Sequence, residues 1–314
     1  MKKIYLCVCI TLLALTGTAQ QDPQYNLYQF NPLIINPAYA GAKDGLSIVA
    51  SNRQQWVGFD GAPKTTCLSI HGPVLHRNLG LGVTVTNDIL GARNVISAYG
   101  NVAYILKINR RVKLSFGLNA GYQRYQFDFS KINFENTAEN PRQAGYSSTQ
   151  NSGALDINGG IFLRSTKYFV GISSTHINAP GIYDYTAYDT SKKSSTNLTY
   201  HLSRHLFLTA GYSFKLSEDV IFAPTILLKE VSGVTGLDLN FNFFLYKKLW
   251  LGAFYRAGYG PGGLIQYYIT PHFKVAYSYD SGISDARKLG GSHEVMIGFD
   301  FGSTKTRMMN PRFL

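Results

Sequence analysis

The chain of 314 residues is 45% hydrophobic, 14% aromatic and only 15% charged, with a formal net charge of +12. Ordinary soluble domains carry about 25% charged residues, so much of the usual surface charge is missing. The 22 tyrosines and 19 phenylalanines exclude a disordered polar chain, and past residue 19 no apolar run reaches the roughly 18 residues that a spanning helix needs.

In chain order, Met1–Ala19 reads as a secretory leader. Lys2 and Lys3 form its basic start, Ile4 to Leu15 its apolar stretch and Gly17-Thr18-Ala19 a small-residue cleavage site. A short uncleaved anchor is the alternative. Cys7 and Cys9 lie inside the apolar stretch and leave with it, so Cys67 alone remains and no intramolecular disulfide is expected. Residues 20–44 form a short extension ahead of the first strand. Within it Asn31-Pro32 and Asn36-Pro37 impose turns and bar helix, because proline lacks an amide donor and restricts the residue before it.

From Gly45 onward apolar and polar residues alternate with period two. The run Leu237-Asp238-Leu239-Asn240-Phe241-Asn242-Phe243 is the cleanest, and Leu114–Tyr122 and Val295–Phe301 repeat it. Period two puts one class of side chain on each face of a sheet. The polar face here is built of Gly, Ser, Asn and Asp rather than Lys, Glu and Thr. Small polar residues suit the inside of a barrel whose aliphatic and aromatic side chains meet lipid, and lipid cannot satisfy a free strand edge, so the sheet must close. The alternative is a secreted sandwich. Tyr122, Tyr125, Phe127, Tyr212, Phe214, Tyr277 and Tyr279, near strand ends, are expected to form an aromatic girdle.

About fourteen strands are expected, at 45–56, 64–72, 79–88, 95–108, 111–127, 153–164, 167–175, 198–215, 219–229, 234–245, 248–257, 263–270, 272–280 and 292–301. The fold class is therefore all-β, a closed antiparallel transmembrane barrel over residues 45–301 with a C-terminal tail at 302–314. Tight connections at 109–110, 165–166, 217–218, 246–247 and 270–271 alternate with longer loops near 128–152, 176–197 and 281–291. Short turns belong to the periplasmic side of such barrels, which puts both termini in the periplasm. Ser203-Arg204 could mark a turn inside 198–215, but a split there breaks the alternation, so one long strand is expected.

In this register Asp88, Asp156, Asp238, Asp280, Glu294 and Asp300 point into the lumen, together with Lys113, Arg164, Lys229, Arg256 and Lys274. Enclosed opposite charges should pair, since unpaired buried charge is costly. Asp156, Asp238, Arg256, Asp280 and Glu294 are the candidate luminal network. They either fill the barrel or line a wet channel.

Three strings carry a resemblance. Ile35-Asn36-Pro37-Ala38-Tyr39-Ala40-Gly41 comes first, then Arg53-Gln54-Gln55-Trp56-Val57-Gly58-Phe59-Asp60-Gly61-Ala62-Pro63-Lys64-Thr65, then Gly80-Leu81-Gly82 with Asn87-Asp88. Their order, with Tyr255-Arg256, Tyr277–Asp280, Ser292-His293-Glu294 and the ending Asn310–Leu314, resembles the PorP/SprF family of outer-membrane proteins linked to type IX secretion and gliding motility. The final residue departs from the family's usual aromatic. The resemblance implies a non-enzymatic barrel that helps a secreted adhesin, or another type IX substrate, leave the cell or stay attached through its C-terminal domain. Periplasmic or translocon proteins are further expected partners. The candidate partner contact is the loop carrying Trp56, Phe59, Asp60, Gly61 and Pro63, with the Ser/Thr/Tyr-rich segments 136–152 and 178–197. Asn31, Pro32, Asn36, Pro37 and Tyr39 are expected at the periplasmic mouth, either plugging the lumen or docking a periplasmic partner. A porin-like diffusion channel is the alternative function.

No catalytic, cofactor or metal set stands out. The seven histidines are scattered, and His201 and His205, four apart, lack acidic or cysteine companions nearby in sequence. No Gly-x-Ser-x-Gly elbow or Walker-type loop occurs. The excess Lys and Arg residues are spread along the chain without a basic helix, so nucleic acid is not an expected partner. Arg110-Arg111 and Lys247-Lys248, at short turns, are placed to meet anionic headgroups.

Overall fold

The computed structural model describes residues 22–74, 78–132, 149–189, 194–283 and 290–302. The expected leader (1–19), most of the segment 136–152 and nearly all of the tail (302–314) lie outside them. The strands run in chain order as β1 (Leu46–Gln54), β2 (Lys64–Val74), β3 (Leu79–Leu90), β4 (Arg93–Lys107), β5 (Lys113–Asp128), β6 (Thr149–Arg164), β7 (Tyr168–Thr175), β8 (Gly181–Asp189) and β9 (Ser194–His201). They continue as β10 (His205–Tyr212), β11 (Phe214–Lys215), β12 (Val220–Val231), β13 (Val234–Leu245), β14 (Leu249–Arg256), β15 (Gly260–Tyr268), β16 (Phe273–Asp280) and β17 (Ser292–Phe301).

β10 and β11 both pair with β12 and act as one strand interrupted at Ser213. Every neighbouring pair in the wall is antiparallel, and β1 pairs with β17 from Leu46↔Phe301 to Gln54↔His293. The result is a closed ring of fourteen strands. No helix among the described residues is long and apolar enough to cross a membrane; the crossing is made by strands.

Alternation sorts the two faces as expected. On β17, Val295, Ile297, Phe299 and Phe301 are 40–51% exposed, whereas Glu294, Met296 and Asp300 are buried inside. On β13, Phe241 and Phe243 face out while Asp238, Asn240 and Asn242 face in. In water such a continuous apolar belt would far exceed the few hundred Å² that a monomer normally exposes. A hydrocarbon surround removes that cost, and ring closure leaves no unpaired edge.

Tight turns join strands at both ends. Tyr246 and Lys247, at φ 49° and 56°, and Ser232-Gly233, at 50° and 85°, have the double positive φ of hairpin turns whose twist matches their strands. Longer connections sit at one mouth only, between β1 and β2, β5 and β6, β7 and β10, and β16 and β17.

Three expectations need correction. The segment 198–215 is not one strand: β9 leaves the wall at His201 and pairs with β8 in a separate hairpin. Ser203-Arg204 is thus a true break, yet the wall keeps fourteen strands because the hairpin adds none to the ring. For the same reason 178–197 is largely hairpin rather than open loop. Third, Tyr125 does not join the girdle. It lies three residues after Tyr122, an odd step that turns it inward, where it is 5% exposed against 52% for Tyr122.

Candidate functional site: a plugged lumen beneath an open vestibule

Residues 22–43 run down the inside of the barrel, from the long-loop mouth at Asp22 to the short-turn mouth at Lys43. Three single 3-10 turns, Tyr28–Phe30, Pro32–Ile34 and Pro37–Tyr39, carry the descent. The two Asn-Pro pairs explain these short turns. Each proline starts a turn where its missing N–H is harmless, and Asn36 caps the third by accepting from the Ala38 amide at 2.9 Å. The expected mouth residues Asn31, Asn36, Pro37 and Tyr39 are buried, and Pro32 is half-buried. They lie within the lumen rather than at its rim, because the wall offers each a partner there. Asn36 donates to the carbonyls of Ile161 and Ile172 at 3.1 and 3.3 Å, and Asn31 accepts from Ser69 at 2.8 Å. Tyr39 packs edge-on against Phe162 and His71.

Close approach needs small wall residues. A Cβ at Gly117 would collide with the backbone of Ala38, and one at Gly80 with the carbonyl of Ala40. Two of the strings quoted for the resemblance, Asn36–Gly41 and Gly80-Leu81-Gly82, therefore fit against each other.

Charged groups fasten the plug along its length. At the short-turn mouth Lys43 Nζ sits 2.8 Å from Asp300, and Lys274 reaches the other carboxylate oxygen at 3.2 Å. Higher up, Arg53 lies 2.9 Å from Asp280 and 3.7 Å from Glu294. Glu294 accepts from the Asn26 amide at 2.6 Å, and the Asn26 side chain donates to Asp280. Arg256 donates from Nε and Nη2 to the two carboxylate oxygens of Asp238 at 2.9–3.0 Å and also donates to the Gln24 side-chain oxygen and the Tyr25 carbonyl. Asp238 and Arg256 are register partners on β13 and β14, so the pair lies along the wall rather than across the lumen. Arg53, Lys43 and Asn26 were missed in the sequence because their carboxylates lie 227 to 268 residues away, a separation of the kind that Asn26 and Glu294 span.

A cavity of about 410 Å³ opens at the long-loop mouth and runs down beside the plug as far as Leu33 and Pro37, with Asp88, Arg93, Lys229 and Arg256 in its lining. The root of the β8–β9 hairpin folds over its rim, where Ile182 and Leu202 pack on Val95 and Tyr125. Asp156, fully buried, accepts from Tyr99 at 2.8 Å and Gln123 at 3.1 Å and lies 2.9 Å from His176 Nδ1. Asp22 bridges His176 Nε2 and His205 Nδ1 at 3.0 and 2.9 Å. Burial alone would lower the His176 pKa, but the Asp22 and Asp156 carboxylates outweigh it and raise it to about 10. Burial likewise pushes Asp22 up, and the two imidazoles more than reverse this, holding it well below the usual carboxylate range.

Beside the vestibule the β1–β2 loop forms a strapped knuckle. The Val57 amide donates to the Gly291 carbonyl at 2.9 Å, and the Gly91 amide to the Gly61 carbonyl at 2.8 Å. Trp56 and Pro63 are half-buried in it, while Phe59, Asp60 and Gly61 face outward, Phe59 at 56% and Val57 at 50% exposure.

The family profile described as type IX secretion system membrane protein PorP/SprF matches residues 17–299. The chain belongs to the PorP/SprF family. No curated protein matches it significantly. Among solved structures, the CymD monoaromatic hydrocarbon channel superposes with a TM-score of 0.49 at 13% identity, covering 92% of this chain and 96% of that one. The Acinetobacter baumannii outer membrane protein Omp33 gives 0.46 at 11% identity, over 83% and 100%, and the KdgM porin 0.39 at 12%, over 81% and 99%. Family membership and the closed barrel together place the chain among outer-membrane proteins of the type IX secretion system.

Proposed function

We propose that this PorP/SprF barrel is a non-enzymatic aid to the export or surface attachment of a type IX substrate, an adhesin-like protein engaged through its C-terminal domain. By the rule that short turns face the periplasm, the long-loop mouth is the outer one and receives the substrate. The observation that carries this reading is the contrast within the lumen. The chain's own residues 22–43 occupy it, yet the outer mouth keeps a cavity of about 410 Å³ and a firmly tied loop with Val57 and Phe59 uncovered. A diffusion channel would call for the reverse, an unobstructed bore.

The test replaces residues 57–61 with a Gly/Ser loop and measures the cognate adhesin on intact cells by surface labelling. Heat-modifiable gel mobility checks that the barrel still inserts. Loss of display with normal insertion is expected; unchanged display would overturn the loop's role. In planar bilayers the intact barrel should stay closed, and a variant lacking 22–43 should conduct. Steady conductance by the intact barrel would favour the channel.

A further inference from the structure

We propose that Asp22, His176 and His205 form a site for a divalent transition-metal cation, zinc foremost, that latches the outer end of the plug to the wall. One donor atom from each of the three lies within 4.8 Å of the others. Asp22 belongs to the plug, His176 follows β7 and His205 opens β10, so the three come from separate segments.

Two further observations point the same way. His205 is fully buried, and neither ring nitrogen makes a properly aligned hydrogen bond, although Nδ1 lies 2.9 Å from the Asp22 carboxylate. A buried imidazole whose nitrogens lack aligned hydrogen bonds is costly, and a cation between His205 Nδ1 and the Asp22 carboxylate would be a ligand partner for both. His176, for its part, is aimed. Its Nδ1 is taken by Asp156, which Tyr99 and Gln123 hold in place, so its Nε2 faces Asp22 and His205. A carboxylate behind a ligating histidine fixes ring orientation and raises ligand basicity in many metal sites.

The donor set selects the ion. Two imidazoles and one carboxylate suit zinc and its first-row neighbours rather than calcium or magnesium, which prefer oxygen alone. Zinc–ligand bonds of about 2.0–2.1 Å in a tetrahedron separate neighbouring ligand atoms by roughly 3.3 Å. His176 Nε2 and His205 Nδ1 lie 3.0 and 2.9 Å from the two different oxygens of Asp22, and one donor atom from each residue already falls within 4.8 Å of the others, so a small turn of the carboxylate would present one oxygen to a shared ion. Binding would displace the protons now shared between the imidazoles and the carboxylates. The Asp22 side chain is 25% exposed, which leaves the fourth position to water or to a group entering from the vestibule.

The experiment uses the tag-free, full-length mature barrel in detergent, stripped with a chelator and titrated with zinc against a chromophoric competitor. One equivalent is expected, bound at least tenfold more tightly than by Asp22→Asn or His205→Gln, with calcium and magnesium failing to compete. Cobalt should give visible ligand-field absorption that His205→Gln abolishes, and zinc should slow proteolysis ahead of Tyr28. Heat-modifiable mobility reports folding of each variant. Asp22→Asn, which lies outside the ring, keeps the test alive if His205→Gln does not fold. Absence of stoichiometric zinc binding, or equal binding by wild type and Asp22→Asn, would overturn the site. Adhesin display plays no part in either result, so failure here leaves the proposed function standing.

Discussion

The two mouths of this barrel are closed by different physics. At the short-turn mouth the plug's backbone lies directly on the wall at Gly80 and Gly117, and a lysine from the plug shares Asp300 with a lysine from β16. Towards the long-loop mouth the plug is held at arm's length by long wall side chains, Arg256 on Gln24 and the Tyr25 carbonyl and Glu294 on the Asn26 amide, and a cavity remains beside it. One end is a joint and the other a receptacle. The same sheet supplies both because inward glycines at Gly80 and Gly117 let the plug backbone come close near the short-turn end, whereas long inward side chains such as Arg256 and Tyr99 stand between plug and wall near the other.

That contrast can be broken most sharply at the joint. Asp300→Ala leaves the ammonium groups of Lys43 and Lys274 buried together without their carboxylate. Breaking a buried ion pair in this way costs about 3–5 kcal/mol, and urea unfolding of the barrel in liposomes should show a loss of that order. A midpoint close to wild type would mean that water reaches this mouth. Gly117→Val, which drives a side chain into Ala38, is expected to cost about 1–3 kcal/mol by overpacking and to expose the plug to protease before the ring unfolds. Simultaneous loss of plug and ring would show that they melt as one unit. At the receptacle, Phe59→Ser should change stability by less than about 0.5 kcal/mol, as exposed substitutions usually do, while surface display of the adhesin falls. A large drop in stability would instead make Phe59 part of the fold.

The wall was legible because lipid imposes a simple rule. Every second residue on each strand must be apolar, and Val295 to Phe301 obeys it without exception. Errors arose where that rule gives no information. Residue type groups Tyr125 with Tyr122 although strand parity turns it inward, and alternation alone does not separate β9, which pairs outside the ring, from β10 within it. The plug was half legible. Two Asn-Pro pairs announced short turns, but a chain segment carries no mark of whether its partners are lipid headgroups, a second protein or its own barrel. The cluster at the outer mouth was illegible for a related reason. In sequence His205 stands four residues from His201, whereas its companion in space is Asp22, which also meets His176, 154 positions further along the chain than Asp22.

The seam between β1 and β17 also constrains how the molecule is made. The segment 22–43 precedes the first strand, yet the side chains that grip it come from strands as late as the last. A ring already zipped shut would have to admit that segment through one of its openings, against ion pairs and glycine contacts that fit only from within. Assembly is therefore simplest if the hairpins curl around the N-terminal stretch like staves around a mandrel, with the final stave locking last. Such an order relies on contacts distant in sequence, which makes folding slow, and it ties completion of each barrel to correct seating of its earliest residues.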